Sequence, residues 1–414
     1  MSTVPQIAEP HRPPAHTPSS ADVTPPAGAS RSAVGAATGL LDAYRREDRF
    51  LATPTRTLLA RGVRHSVPHG PEPLHRRVAD ALRAVGPDDG GPRVVLGAIP
   101  FDPSAPAALV VPETVTTGPA LAMDPLIALP AAAPARGGWT VRPEPEPEEY
   151  ARGVAAAVDR MWQGEFSKVV LARTLRLTGA NGPDLPAMVQ RLARRDPGGY
   201  TFALPTGPGR TLLGASPELL VSRRGGVLVS NPLAGSAPRS GDLAEDVRRA
   251  AGLLESAKDL HEHAVVVNAV HQTMAPYCSS IEVPARPSLI RTATMWHLST
   301  TVTGTLAHPG VSALEIAGAL HPTPAVCGTP TDVARAVIQR TEPFDRGFFT
   351  GVVGWGDAEG NGEWVVTIRC AEAGEDSLRL YAGAGVVAAS DPAAETAETA
   401  AKFRTFLDAM GAEL

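Results

Sequence analysis

Cysteine is scarce in this chain: three among 414 residues. Cys278, Cys327 and Cys370 stand far apart, with no CxxC pair. That spacing supports neither a zinc ribbon nor a disulfide framework, and it fits a reducing cytoplasm. A long apolar run is also missing. The most apolar long stretch, near Pro119 to Ala135, is interrupted by Asp124, Pro125 and Pro130. A membrane span needs about 20 nearly uninterrupted apolar residues, so no contact with the bilayer interior is expected. The start lacks a basic segment followed by an apolar one, so a secretory signal is not expected either. Nor does one sign of charge dominate. With 38 basic and 43 acidic side chains the net charge is -5, which creates no global field for nucleic acid or an anionic membrane. There is no P-loop pattern and no HExxH. Gly383-Ala384-Gly385 begins like a dinucleotide fingerprint, but it lacks the third glycine and a helix directly after it.

What is present is an ordinary globular composition, 43% hydrophobic and 20% charged. Such a chain can bury a large core. Its length suits two or three domains, or one large α+β enzyme. Residues 1–35, rich in Pro, Ala, Ser and Thr, predict a disordered tail, because they cannot bury enough apolar surface to offset ordering entropy. Residues 36–149 form a mixed N-terminal part that ends in RPEPEPEE (142–149), read as a stiff acidic linker. Residues 150–414 form the richer, catalytic region.

In the first part a helix is predicted over Leu74 to Val85 and a strand over Arg93 to Pro100. Beyond the linker the pattern predicts helices from Tyr150 to Gln163, Asp184 to Arg195, Thr331 to Gln339 and Ala393 to Met410. One long helix is predicted from Ala244 to Tyr277. Strands are predicted over Lys168 to Leu177, in the segments between Tyr200 and Pro232, and over Trp296 to Thr305. Gly351 to Asp357, Glu363 to Ala371 and Ser377 to Val387 read as consecutive antiparallel strands. Hairpins with segregated helices argue for α+β rather than a parallel βαβ fold.

Several polar residues stand out against this background. Glu255, Lys258, Asp259 and Glu262 fall on one helical stripe, and Glu395, Glu398 and Lys402 on another. Each stripe can be a solvated face with pairs worth about 0.2–0.5 kcal/mol. Alternatively the two can converge on one hard cation such as Mg²⁺, which takes one or two carboxylates plus waters and an anionic substrate. His261 and His263 point in different directions on a helix, so they read as surface or core-edge residues rather than as ligands of one ion. Arg369 sits in an apolar stretch, where it either pairs with a buried carboxylate or clamps a carboxylate ligand. Lys168 opens the apolar strand KVVLA. A lysine beside buried surface can lose its proton more readily and act as a base.

Taken together and in order, ten blocks carry a resemblance. They are KVVLAR (168–173), GASPELL (214–220), NPLAGSA (231–237), SAKDLHEH (256–263), WHL (296–298), HPTPA (321–325), EPFDR (342–346), residues 351–369, AGAGVV (382–387) and residues 395–402. Over roughly residues 150–410 the chain resembles the chorismate-utilising enzymes, the group of isochorismate, salicylate, anthranilate and aminodeoxychorismate synthases. The resemblance implies a large α/β sandwich of antiparallel sheets with helices outside, and a Mg²⁺-dependent site. It implies Lys168 as general base and Glu218 as general acid. Glu262 and Glu398 would hold the metal, with Asp259 and Glu395 behind them. Arg369, Lys402 and the backbone at Gly383 would bind the pyruvyl carboxylate of the substrate. Gly235 and Ser236 would lie against it, Ala325 and Phe349 would line its site, and His297 would orient a hydroxyl.

Within that family the chain is most similar to the isochorismate-forming members of catecholate siderophore pathways. Water would attack at C2 with loss of the C4 hydroxyl. Aminodeoxychorismate synthases carry a nucleophilic lysine where this chain has Ala234. Salicylate synthases tend to carry Thr and Tyr where it has Ala325 and Phe349. The alternatives are a salicylate synthase, a menaquinone-pathway isochorismate synthase and an aminating synthase. A monomer without a glutaminase partner is expected.

Overall fold

The structure, a computed structural model, describes residues 34–412 except 86–89, 135–137 and 180–181. All but the last two residues of the segment read as a tail lie outside the described residues. Among the described residues, strands build one ten-stranded sheet, one nine-stranded sheet and a small three-stranded one. The long ladders are antiparallel. Lys168–Gly179 pairs along nearly its whole length with Ser377–Val387. Val352–Asp357 lies between Val94–Ile99 and Gly362–Val366.

The two large sheets face each other across a core that includes Leu51, Phe202 and Leu204 from one and Leu96, Val353 and Val365 from the other. Helices Leu185–Arg195 and Pro392–Met410 cover the outer face of the ten-stranded sheet. Leu74–Ala84, Ala257–Met274 and Ala313–Leu320 cover the outer face of the nine-stranded one. The result has the α+β class that the pattern predicts and the sandwich with outer helices that the resemblance implies. Among the described residues no helix is long and apolar enough to cross a membrane.

Four expectations need correction. The predicted linker is mostly structured: Trp139–Glu144 is a strand paired with the far end of Lys168–Gly179, and a helix starts at Pro147. Backbone pairing there outweighs the extended bias of alternating prolines. The predicted long helix is two, Leu243–Glu255 and Ala257–Met274. Ser256 takes an extended conformation and its hydroxyl accepts from the Asp259 amide, capping the second helix. Glu255 therefore ends the first helix and does not share the stripe of Lys258, Asp259 and Glu262. The predicted strand from Trp296 splits into Met295–Ser299 and Val302–Leu306, which belong to different sheets. Finally, Glu363 to Ala371 is not one strand. Gly362–Val366 belongs to the nine-stranded sheet and Cys370–Ala373 to the ten-stranded one.

That last break places the site. Two chain segments switch sheets side by side. One passes from Arg210–Ser216 through Pro217 and Glu218 into Leu219–Arg224. The other passes through Thr367, Ile368 and Arg369. Cross-bonds hold the two crossings together. Ser216 Oγ donates to Val366 O at 2.7 Å, Val366 N to Glu218 O at 3.1 Å, and Ala215 N to Arg369 O at 3.0 Å. Arg369 turns the corner with φ +50°, a conformation costly for a residue with a Cβ.

Candidate active site

Lys168 opens its strand almost fully buried, and its Nζ lies 2.8 Å from Glu262 Oε1. The partner strand makes room for this pair. Gly385 faces it, and a Cβ there would collide with Glu262 Oε1 and stand 3.3 Å from Lys168 Cε.

The two predicted carboxylate stripes converge. On helix Ala257–Met274, Lys258, Asp259 and Glu262 face one pocket; on helix Pro392–Met410, Glu398 and Lys402 face it too. Glu398 accepts from Ser236 Oγ at 3.0 Å and pairs with Lys402 at 2.6 Å. Glu395 stands behind, buried and paired with Lys258 at 3.0 Å. Burial, with Glu262 and Glu398 close by, raises the Asp259 carboxyl above its ordinary range. Burial and Glu398 raise Glu395 in the same way. Burial also pushes Glu398 upward, but Lys402, Ser236 and Lys258 outweigh it and the net shift is downward.

Crowded like charges of this kind are relieved by a cation. Glu262 and Glu398 reach the same pocket from two helices, so they suit a divalent ion that takes two carboxylates and completes its shell with water and substrate oxygens. Among the described residues no group of three or more His, Cys, Asp or Glu forms a closed metal cage.

At the sheet crossings stand Glu218 and Arg369. Complete burial pushes the Glu218 carboxyl up to about 7, although the Leu233 amide and the charges of Lys168, Arg369 and Lys402 pull the other way. It is thus substantially protonated at neutral pH. Burial lowers Arg369 to about 10, against the pull of Glu398 and Glu218, so it stays charged. His297 is held neutral, well below the usual imidazole range, by burial and by the charges of Arg369 and Lys402. Arg369 Nη2 and His297 Nε2 are buried without a hydrogen-bond partner, and both residues line the pocket. Orphaned polar atoms at a pocket wall are groups waiting for a ligand.

The other expected residues gather here as well. Gly235, with φ +79°, lets the backbone pass close to Asp259. Ser236, Ala325, Phe349 and Gly383 line the pocket. The Gly383 carbonyl accepts from Lys402 Nζ at 2.7 Å. Ala234, where a lysine would supply an amine, contributes only a methyl group to the wall. His263 is a satisfied core residue, bonded to Ala234 O at 3.1 Å and Thr300 Oγ1 at 2.7 Å, while His261 is exposed.

Three pocket residues with polar side chains were not singled out as site residues by sequence. Lys258 was noticed only as part of its stripe. Tyr381 stacks on Phe349 with ring centroids 5.0 Å apart, and Thr350 lines the wall with φ +57°. Nothing local marks Tyr381. The glycine that follows Thr350 hints at a turn and no more.

Comparison with known proteins places this geometry. Residues 130–411 match the family model described as chorismate binding enzyme. The chain is 54% identical over 387 residues to the isochorismate synthase DhbC of Bacillus subtilis, covering 90% of this chain and 96% of that one. It is 42% identical over 369 residues to the vibriobactin-specific isochorismate synthase of Vibrio cholerae, covering 88% and 92%. The crystal structure of DhbC from Bacillus anthracis superposes with a TM-score of 0.85 at 47% identity, covering 91% of this chain and all of that one.

Proposed function

From the premise that this chain belongs to the chorismate-binding enzymes, we propose that it is an isochorismate synthase serving catecholate siderophore biosynthesis. It converts chorismate to isochorismate, with Mg²⁺ as cofactor. The observation that carries this reading is one pocket that brings the cations Arg369 and Lys402 and the carboxylates Glu262 and Glu398 together with Glu218, a fully buried carboxyl whose burial favours its protonated form. Such a group is an acid able to protonate a leaving hydroxyl.

Chorismate brings two carboxylates, and burying both requires compensating charge. Arg369 and Lys402 bind the pyruvyl carboxylate, with Arg369 using its free Nη2. Glu262 and Glu398 are the residues that would hold Mg²⁺, which when bound supplies positive charge to the ring carboxylate. Gly235 and Ser236 keep the ring close to the backbone.

The Lys168 amine takes a proton from water as the water oxygen bonds to C2. Both ring double bonds shift, C1=C2 to C1=C6 and C5=C6 to C4=C5, the C4–O bond breaks, and Glu218 gives its proton to the departing hydroxyl. His297, neutral and with Nε2 free, orients a substrate hydroxyl. Water is the nucleophile because Ala234 offers no amine. A water nucleophile needs no ammonia, and so no glutaminase partner. The enzyme acts as a monomer in the cytoplasm, a placement its three free cysteines favour.

The test is a product assay with purified protein and chorismate, with and without Mg²⁺ and ammonium, read by HPLC and NMR. Isochorismate alone supports the reading. Salicylate with pyruvate would move the chain to the salicylate synthases and show that Ala325 and Phe349 do not decide the outcome. An aminated product formed only with ammonium would make it an aminating synthase.

A further inference from the structure

The block EPFDR has no role in the chemistry above, yet two of its three charged residues, Glu342 and Arg346, sit deep beside the site. Strand Lys168–Gly179 has a full partner along one edge. On its other edge, Gly328–Thr329 pairs only with Lys168 and Val169, and the next strand pairs only from Thr174 onward. Residues 170–173 lack a strand partner there. Glu342 and Arg346 fill that gap. Ala172 N donates to Glu342 Oε1 at 2.8 Å, and Arg346 Nη2 donates to Val170 O at 2.8 Å. The two side chains bond each other twice, Nε to Oε2 at 2.8 Å and Nη2 to Oε1 at 2.6 Å. A buried ion pair stands where a strand would otherwise run.

The remaining Arg346 donors reach the opposite wall. Nη1 donates to Val326 O at 2.8 Å and to Thr350 Oγ1 at 3.1 Å. All five guanidinium N–H groups therefore have acceptors. The faces are occupied too, with ring centroids of Phe101 and Phe349 at 4.8 and 5.6 Å from Cζ. Val170, Val326, Phe349 and Thr350 all line the pocket, while Arg346 itself does not.

We infer that Arg346, oriented by Glu342, is a positioning residue for the reaction: it fixes the strand that carries Lys168 against the wall formed by Val326, Phe349 and Thr350. The inference rests on the isochorismate-forming reading. Lysine cannot replace Arg346, because a single ammonium cannot serve two carbonyls, a hydroxyl and a carboxylate at once and stack on two rings. Loss of a buried ion pair that only stabilised the fold would lower stability and leave turnover per folded molecule untouched.

The experiment compares full-length wild type, Arg346→Lys and Glu342→Gln, with chorismate and Mg²⁺, on protein checked for folding by near-UV circular dichroism. For Arg346→Lys, kcat falls about 100-fold while KM stays within about 3-fold, because displacement of about 1 Å costs that much when substrate binding is retained. Glu342→Gln keeps an acceptor for the Ala172 amide and loses kcat by about 10-fold at nearly constant KM. Hydrogen exchange at the Ala172 amide, which donates to Glu342, speeds up in both variants, while Val353 in the other sheet is unchanged. Unchanged kcat per folded molecule, with only a lower Tm, overturns the inference. If Arg346→Lys does not fold, Glu342→Gln decides by the same split. A wild type that makes a different product from chorismate defeats the isochorismate reading alone, and the variants are then compared on that product. A wild type inert toward chorismate defeats both.

Discussion

Lys168 and Glu262 form an ion pair at 2.8 Å although 94 positions separate them. Their side chains are only 3% and 12% exposed. The proposed base and one proposed metal ligand are thus in direct contact, and neither can be altered without the other feeling it. Lys168→Ala should lose turnover by roughly 10²–10⁴-fold, the usual worth of a general base, while keeping its circular dichroism spectrum. HPLC of isochorismate checks this, and near-normal turnover in the folded variant would remove Lys168 from the mechanism.

Glu218 ties pH to both activity and stability. Its carboxyl is raised by burial from 4.5 to about 7 in the folded protein. The folded state therefore binds the proton more tightly than the unfolded chain. The stability this proton confers is complete below the unfolded value and is lost as pH rises through about 7. A gap of that size corresponds to a penalty on the order of 3 kcal/mol once the group ionises. As the proton donor, Glu218 should also give kcat/KM a descending limb near pH 7. Glu218→Gln should remove the fall in stability between pH 4.5 and about 7 in urea titrations and cut kcat by about 10²-fold or more. A descending limb that persists unchanged in the residual activity of this variant would assign it to another group.

Gly385→Ala tests the space around the ion pair. The added Cβ meets the flexible end of Glu262 rather than backbone. The fold should adjust at a cost of about 1–2 kcal/mol, while displacement of Glu262 lowers kcat by about 10-fold and raises the Mg²⁺ concentration needed for half-maximal rate. A wild-type metal requirement in this variant would separate Glu262 from metal binding.

Chelation gives the most direct test of the carboxylate pair. EDTA should abolish isochorismate formation, and added Mg²⁺ should restore it. Glu398→Gln should shift the Mg²⁺ titration to higher concentration, because one of two anionic ligands is lost. Full activity in EDTA would mean that the lysines alone balance these carboxylates.

Much of this site is legible in the chain. KVVLAR announces a buried strand with a charge at its head. Helical spacing puts Asp259 with Glu262, and Glu398 with Lys402, on shared faces. The order of the blocks carries the family. What could not be read is where the backbone breaks. Ser256 stops a helix that periodicity would continue, because its hydroxyl caps the following turn. Arg369 looks like a mid-strand residue, since Trp364 to Cys370 is otherwise apolar and β-branched (Val365, Val366, Thr367, Ile368). Its true place, a left-handed corner between two sheets, depends on partners distant in sequence: Cys370 pairs with Gly214, and Val366 with the carbonyl of Glu218.

By itself, then, the sequence determined the chemical inventory and the local periods: a lysine on a buried strand, carboxylates at helical spacing, an alanine where an amine could stand. Those features follow from interactions within a few residues along the chain. Tertiary structure alone decided that Glu218 and Arg369 would meet at adjacent sheet crossings, that Glu218 would be buried enough to keep its proton, and that Glu342 and Arg346 would stand in for a missing strand. Burial and partner identity arise from packing between segments far apart in sequence, and no local pattern encodes them.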